Sequence, residues 1–333
     1  MRSFVEAEAA PDTEHDDTVN LADRTSARLR AVRAELAKVV FGQDEVVEEA
    51  LITLLAGGHC LVVGVPGLAK TLLVESLGTV LGLDQKRVQF TPDLLPADIL
   101  GTEVLEDSED GRRRFRFIPG PVFSQLLMAD EINRASPRTQ SALLQAMQER
   151  AVTVAGEAHD LPRPFHVLAT QNPIEQEGTY PLPEAQLDRF LLQINVTYPD
   201  ESSEREILIR TTGTEVPRLK PVLTAQELMQ IQELVRQVPV GESVVAAILE
   251  LVRGARPEDD DSEIIWGPGP RASQALMLSA RARALLQSRL APSVDDVVAL
   301  AKPVLRHRMA LSFAARAEGK TVEHVVDRLT EKL

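Results

Sequence analysis

One octapeptide constrains this chain more than any other feature: Gly64-Val65-Pro66-Gly67-Leu68-Ala69-Lys70-Thr71, set between a short apolar run and a helical repeat. His59 to Val63 is rich in valine and leucine and suits a buried strand of the parallel type. Lys70 to Leu81 has the apolar spacing of a helix. A glycine-bearing turn between such a strand and such a helix offers an anion backbone N–H groups and the positive end of the helix. Lys70 is then placed to reach the β and γ phosphates of a nucleotide, and the Thr71 hydroxyl to ligate Mg²⁺. The usual pattern has a second glycine immediately before the lysine. Here Ala69 stands at that position, and Gly67 supplies the freedom two residues earlier.

Four further elements bear on the same chemistry. Leu126 to Ala129 is an apolar run that ends in Asp130-Glu131. Such a strand delivers two carboxylates to its C-terminal edge, where ligands bind in open parallel sheets. Asp130 suits a Mg²⁺ held through water, and Glu131 suits polarising an attacking water, which points to hydrolysis beyond mere binding. Leu168 to Thr170 ends in Gln171-Asn172-Pro173, and Asn172 is a candidate for orienting that water. In Leu187-Asp188-Arg189-Phe190 an arginine stands beside an apolar strand; taken alone, a surface ion pair explains it as well. Pro270-Arg271-Ala272 sets an arginine in the first turn of a helix, against the helix dipole, a conflict that an anionic phosphate relieves.

Apolar strands alternating with helices up to residue 199 imply an α/β sandwich with a parallel sheet. Within it, 102–117 and 152–164 read as two hairpins, the first turning at Asp110-Gly111. After Tyr198-Pro199-Asp200 only helical spacing remains, so residues 200–333 are expected to form a smaller all-helical domain and 24–199 the α/β domain. Residues 1–23 carry Glu6, Glu8, Asp12, Glu14, Asp16 and Asp17 with no apolar run, and are expected to be an acidic flexible tail without a signal peptide.

The 333 residues carry a net charge of -14, which opposes a general attraction to nucleic acid or anionic lipid. The uncharged stretch from Leu51 to Ala69 is broken by four glycines and a proline, so no membrane span is expected. Cys60 is the only cysteine, reads as a buried strand residue and excludes an internal disulfide; a cytoplasmic location is the expectation.

The strings GVPGLAKT (64–71), QFTPDLLPADILG (89–101), MADEINRA (128–135), TQNP (170–173), PEAQLDRF (183–190) and Pro270-Arg271-Ala272 together resemble the MoxR family of AAA+ ATPases, from about Val40 to the C-terminus. Ala69 fits that family's own phosphate-loop variant, while Gly269 stands where a small polar residue is expected. The resemblance implies a parallel-sheet αβα domain followed by a helical lid. It also implies that Lys70 and Thr71 are Walker A, Asp130 and Glu131 Walker B, Asn172 sensor 1 and Arg271 sensor 2. Arg189 is implied as an arginine finger acting on a neighbour's ATP, and Phe41-Gly42-Gln43 as an adenine contact. ATP and Mg²⁺ are the implied cofactors. The implied assembly is a homo-oligomeric ring, commonly a hexamer, because a finger in trans needs an adjacent protomer. A von Willebrand factor A-domain protein is the implied partner, and chaperone-like remodelling or maturation of client proteins the implied work.

Two other functions compete. A nucleic-acid-dependent motor gains support from Arg112, Arg113, Arg114 and Arg116 interleaved with Phe115 and Phe117. The neighbouring Glu106, Asp107, Glu109 and Asp110 are expected to neutralise that hairpin, with Phe115 and Phe117 forming its buried face. An ATP-binding switch without turnover is opposed by the intact Asp130-Glu131 pair.

Overall fold

The computed structural model describes residues 13–107, 113–174, 178–213, 217–257 and 262–333, with side chains from residue 24 onward. A five-stranded sheet, all parallel, forms the α/β domain. Its strands are β1 (Cys60–Gly64), β2 (Gln85–Gln89), β5 (Leu126–Asp130), β8 (His166–Gln171) and β9 (Leu192–Val196), in the spatial order β2-β5-β8-β1-β9. Side chains alternate across it with period two. Cys60, Val62, Leu126, Met128, Leu168, Leu192 and Ile194 face one apolar cluster. Leu61, Leu127, Ala129, Val167 and Ala169 face another. Both faces are therefore buried, which is why these strands read as nearly continuous apolar runs.

The first cluster is completed by α1 (Thr13–Leu36), α2 (Asp44–Leu55) and α3 (Lys70–Val80), and by the lid helices. The second is completed by α5 (Pro137–Glu149), with α4 (Pro96–Leu100) against it. Helix α5 starts where the sequence implies: the Ser136 hydroxyl accepts from the Thr139 amide, and Pro137 occupies the first position. Helix α1 begins at Thr13, so the helix runs into the segment expected to be a flexible tail. Residues 1–12 of that segment lie outside the described residues.

Two antiparallel hairpins project from this domain, β3 (Gly101–Asp107) with β4 (Arg113–Pro119) and β6 (Ala151–Val154) with β7 (Glu157–Asp160). The Asp110-Gly111 turn lies outside the described residues. Arg116 pairs with Glu106 and Arg113 with Asp107. The expected burial of Phe115 is corrected: Phe115 is 71% exposed opposite Leu105, itself exposed, because no other element covers that part of the hairpin's face. Phe117 stacks on His159 of the second hairpin at 4.0 Å and packs edge-on to Phe123.

A four-residue turn of helix, α6 (Glu184–Leu187), precedes β9, and α7 (Glu201–Thr211) leads away from it. The lid follows with α8 (Ala225–Gln237), α9 (Glu242–Gly254), α10 (Pro270–Leu286), α11 (Val294–Leu305), α12 (Phe313–Ala317) and α13 (Val322–Thr330). It is not purely helical. β10 (Ile264–Trp266) pairs antiparallel with β11 (Ala310–Leu311), strands too short to leave an alternation in the sequence. Helix α10 packs on α2 and α11 on β9, so one apolar cluster joins the lid to the sheet.

Candidate nucleotide site

The octapeptide joins β1 to α3 at the C-terminal edge of the sheet. A Cβ on Gly64 would lie 2.9 Å from the Val196 carbonyl oxygen, so glycine lets β9 approach the loop. Gly67 has φ +85 with nothing within 4 Å of a notional Cβ, leaving the loop open on that side. Ala69 caps α3 in the left-handed conformation, φ 55 and ψ 22, at a cost on the order of 1 kcal/mol for a residue with a Cβ. No side chain caps α3 and no acid stands in its first turn. Its first N–H groups thus point an uncompensated positive end at the loop.

The Lys70 ammonium donates to the carbonyls of Gly64 at 2.6 Å and Val65 at 2.8 Å. Burial lowers its pKa, and the Asp130 and Glu131 carboxylates oppose that shift across the site. Asp130 is 8% exposed at the end of β5. Its Oδ1 accepts from the Thr170 hydroxyl at 2.5 Å and its Oδ2 from Arg87 at 2.5 Å. Glu131 is held in a left-handed conformation, φ 55, and its amide donates to the same Thr170 oxygen at 2.8 Å. Its carboxylate accepts from Gln89 at 2.7 Å and Arg134 at 2.9 Å. Asn172 follows β8 at this edge, is buried, and its Oδ1 accepts from the Ile174 amide. Thr170 and Arg87, which fix the acidic pair, carried no independent signal. Thr170 was visible only as part of the TQNP string.

Phe41-Gly42-Gln43 also reaches this edge. Gln43 donates to the carbonyl of Thr197, one residue beyond Val196, the partner of Gly64. Gly42, at φ +65, packs against Ser203 of α7, where a Cβ would fall 2.3 Å from the serine Cβ. Arg210 of α7 lies over the Phe41 ring at 5.2 Å.

Arg189 and Arg271 are not brought to this edge. Both line a concavity of about 270 Å³ with Gly57, Gly58 and His59, at the N-terminal end of β1. With a rise of about 3.3 Å per residue, the five-residue strand separates the two edges by roughly 16 Å. Arg189 donates to the Leu144 carbonyl at 2.5 Å. Arg271 lies 3.7 Å from Asp188, whose other oxygen accepts from Arg308. Arg271, implied as sensor 2, thus lies on α10 at the edge remote from its own chain's loop, where the lid packs against the sheet. Sequence reasoning missed Arg308, which is 2% exposed and also donates to the Phe190 carbonyl at 2.6 Å.

The donor set fits a nucleotide with its metal. Amides and an ammonium suit phosphate oxygens, and the Thr71 hydroxyl and Asp130 carboxylate are the hard oxygen donors that Mg²⁺ takes alongside water and phosphate. Among the described residues no helix is long and apolar enough to cross a membrane.

Residues 59–192 match the ATPase family associated with various cellular activities (AAA), and residues 258–329 match the AAA lid domain. The chain is 44% identical over 303 residues to "Chaperone MoxR1" of Mycobacterium tuberculosis, covering 89% of this chain and 79% of that protein. It is 34% identical over 308 residues to "Protein MoxR" of Paracoccus denitrificans, covering 86% and 89%. A solved structure of a putative ATPase from Cytophaga hutchinsonii superposes with a TM-score of 0.88 at 38% identity, covering 96% of this chain and 98% of that one. With the phosphate loop, the acidic strand tip and the helical lid in one fold, the chain belongs to the MoxR family of AAA+ ATPases.

Proposed function

We propose that this chain hydrolyses MgATP at sites shared between adjoining copies in a ring, and uses the turnover to remodel partner proteins. The observation that carries the reading is the division of charge. The loop, Lys70, Asp130 and Glu131 occupy one edge of the sheet, and Arg189 with Arg271 the other. Arginines so placed serve the triphosphate of the next copy, and a head-to-tail contact of this kind closes by cyclic symmetry; a hexamer is the expected size.

Within one site, Lys70 exchanges its two carbonyl partners for β and γ phosphate oxygens, and the first amides of α3 hold the same oxygens. Thr71 and Asp130 hold Mg²⁺, which when bound neutralises charge across the phosphates. Glu131 orients the attacking water and takes its proton, with Gln89 and Arg134 fixing the carboxylate. Asn172 steadies that water from the adjacent strand. Phe41, Gly42 and Gln43 seat the adenine, with Val65, Pro66, Gly67, Leu68 and Ala69 wrapping the phosphates.

The named chaperone among the relatives supports protein remodelling, and the paired charges of the first hairpin support a protein client over a nucleic acid. A von Willebrand factor A-domain protein is the proposed partner, in the cytoplasm. Mixed assemblies test the shared site: Arg189→Ala chains, inactive alone, should regain turnover when mixed with Lys70→Ala chains. Failure to regain it under conditions where the chains co-assemble would overturn the shared site.

A further inference from the structure

The concavity that holds Arg189 and Arg271 contains three more arginines. Arg308 is committed, because it is buried against Asp188 and three backbone carbonyls. Arg150 and Arg236 are not. Arg150 ends α5 in the left-handed conformation, φ 53, and Arg236 lies in the last turn of α8. Both are exposed. Among the described residues neither guanidinium has a carboxylate partner or a hydrogen bond; only their backbones are engaged, the Arg236 carbonyl by Arg281 and the Arg150 carbonyl by the Leu161 amide.

The charge of the concavity is unusual for this chain. Five arginines face one aspartate, a formal +4 on a protein of net charge -14. His59 adds nothing, since burial holds its pKa down at about 3. The guanidinium groups come from α5, α8, α10, the approach to β9 and the end of α11, so core and lid both contribute. Like charges so gathered repel one another until a polyanion enters, and planar guanidinium forks match phosphate oxygens in pairs.

We propose that Arg150 and Arg236 are further phosphate-binding residues, which join Arg189 and Arg271 in gripping the polyphosphate of the nucleotide on the adjoining copy. This rests on the shared-site reading above. The lid arginine Arg236 and the core arginine Arg150 then make the neighbour's triphosphate a bridge between the two domains of one chain.

The test compares Arg150→Ala, Arg236→Ala and the double variant with the unaltered full chain. Each single change should lower ATP turnover about tenfold, the loss expected for one charge-assisted hydrogen bond. ATP affinity of the dilute chain should stay within about twofold and thermal stability unchanged, because each chain's own loop is intact. Mixing the double variant with Lys70→Ala chains should restore turnover, since the latter supply arginines to intact loops. Wild-type turnover in the double variant would overturn the proposal. So would absent recovery on mixing where Arg189→Ala chains do recover. Absent recovery for Arg189→Ala as well removes the shared site itself, and the proposal with it. Weakened self-association without nucleotide would assign both arginines to a protein contact and also overturn it.

Discussion

The carboxylate of Asp188 accepts a hydrogen bond from Arg308 Nε at 2.7 Å, and this pair joins the C-cap of α6, just ahead of β9, to the turn that follows the lid's α11. Arg308 also reaches the carbonyls of Phe190 and Leu191, so one buried cation fixes the lid against the sheet edge. Asp188→Ala leaves the buried guanidinium without its counter-charge and should cost about 3 kcal/mol of stability, read from denaturant unfolding. Arg308→Met combined with Asp188→Leu should recover most of that loss, because the desolvated charge is then gone.

Glu131→Gln separates binding from chemistry. The amide keeps a partner for Arg134 but takes no proton, so ATP affinity should persist while phosphate release falls by about two to four orders of magnitude. A fluorescent ATP analogue and a phosphate assay on the same preparation read the two quantities.

Stability should vary with pH in a definite sense. Burial lowers the pKa of His59 to about 3 and of His166 to about 4, and holds His307 well below its ordinary value. The unfolded chain binds protons to these rings below about pH 6.5 while the native chain does not, so stability falls as pH drops from there toward 4. Burial raises Glu49 to about 8, so the native chain keeps a proton that the unfolded chain releases above about 4.5. That group erodes stability as pH rises toward 8. A maximum near pH 6.5 follows, with a decline between 6.5 and 8 that Glu49→Gln should remove. Urea unfolding of both proteins across pH 5 to 8.5 checks it.

Single-stranded DNA should leave ATP turnover unchanged within about twofold. Arg113 and Arg116 are already matched by Asp107 and Glu106, so little uncompensated charge remains on that hairpin for a phosphate backbone.

The sequence exposed best what is local in the chain. The loop, its strand and its helix are contiguous, and Asp130-Glu131 closes an apolar run, so the C-terminal edge of the sheet could be assembled from strings a few residues long. Asp188 and Arg308 are 120 positions apart, and nothing in either neighbourhood names the other. The edge that Arg271 faces follows from how the lid docks, which depends on apolar packing spread over α2, β9, α10 and α11. Phe115 shows the limit of alternation: period two sorts residues onto faces, but a two-stranded hairpin has a buried face only where another element covers it. Leu105 and Phe115 therefore stay open while Phe117, two residues on, finds His159.

The grip of Lys70 on a triphosphate is tested most directly by measuring ATP binding and phosphate release for Lys70→Ala beside the unaltered chain. Lys70 now satisfies the carbonyls of Gly64 and Val65, and alanine removes the one mobile cation of the loop. The expected result is loss of both binding and turnover in a protein that still melts cooperatively at a similar temperature. A Lys70→Ala chain that takes up and cleaves ATP as well as the unaltered one would contradict the assignment of the site.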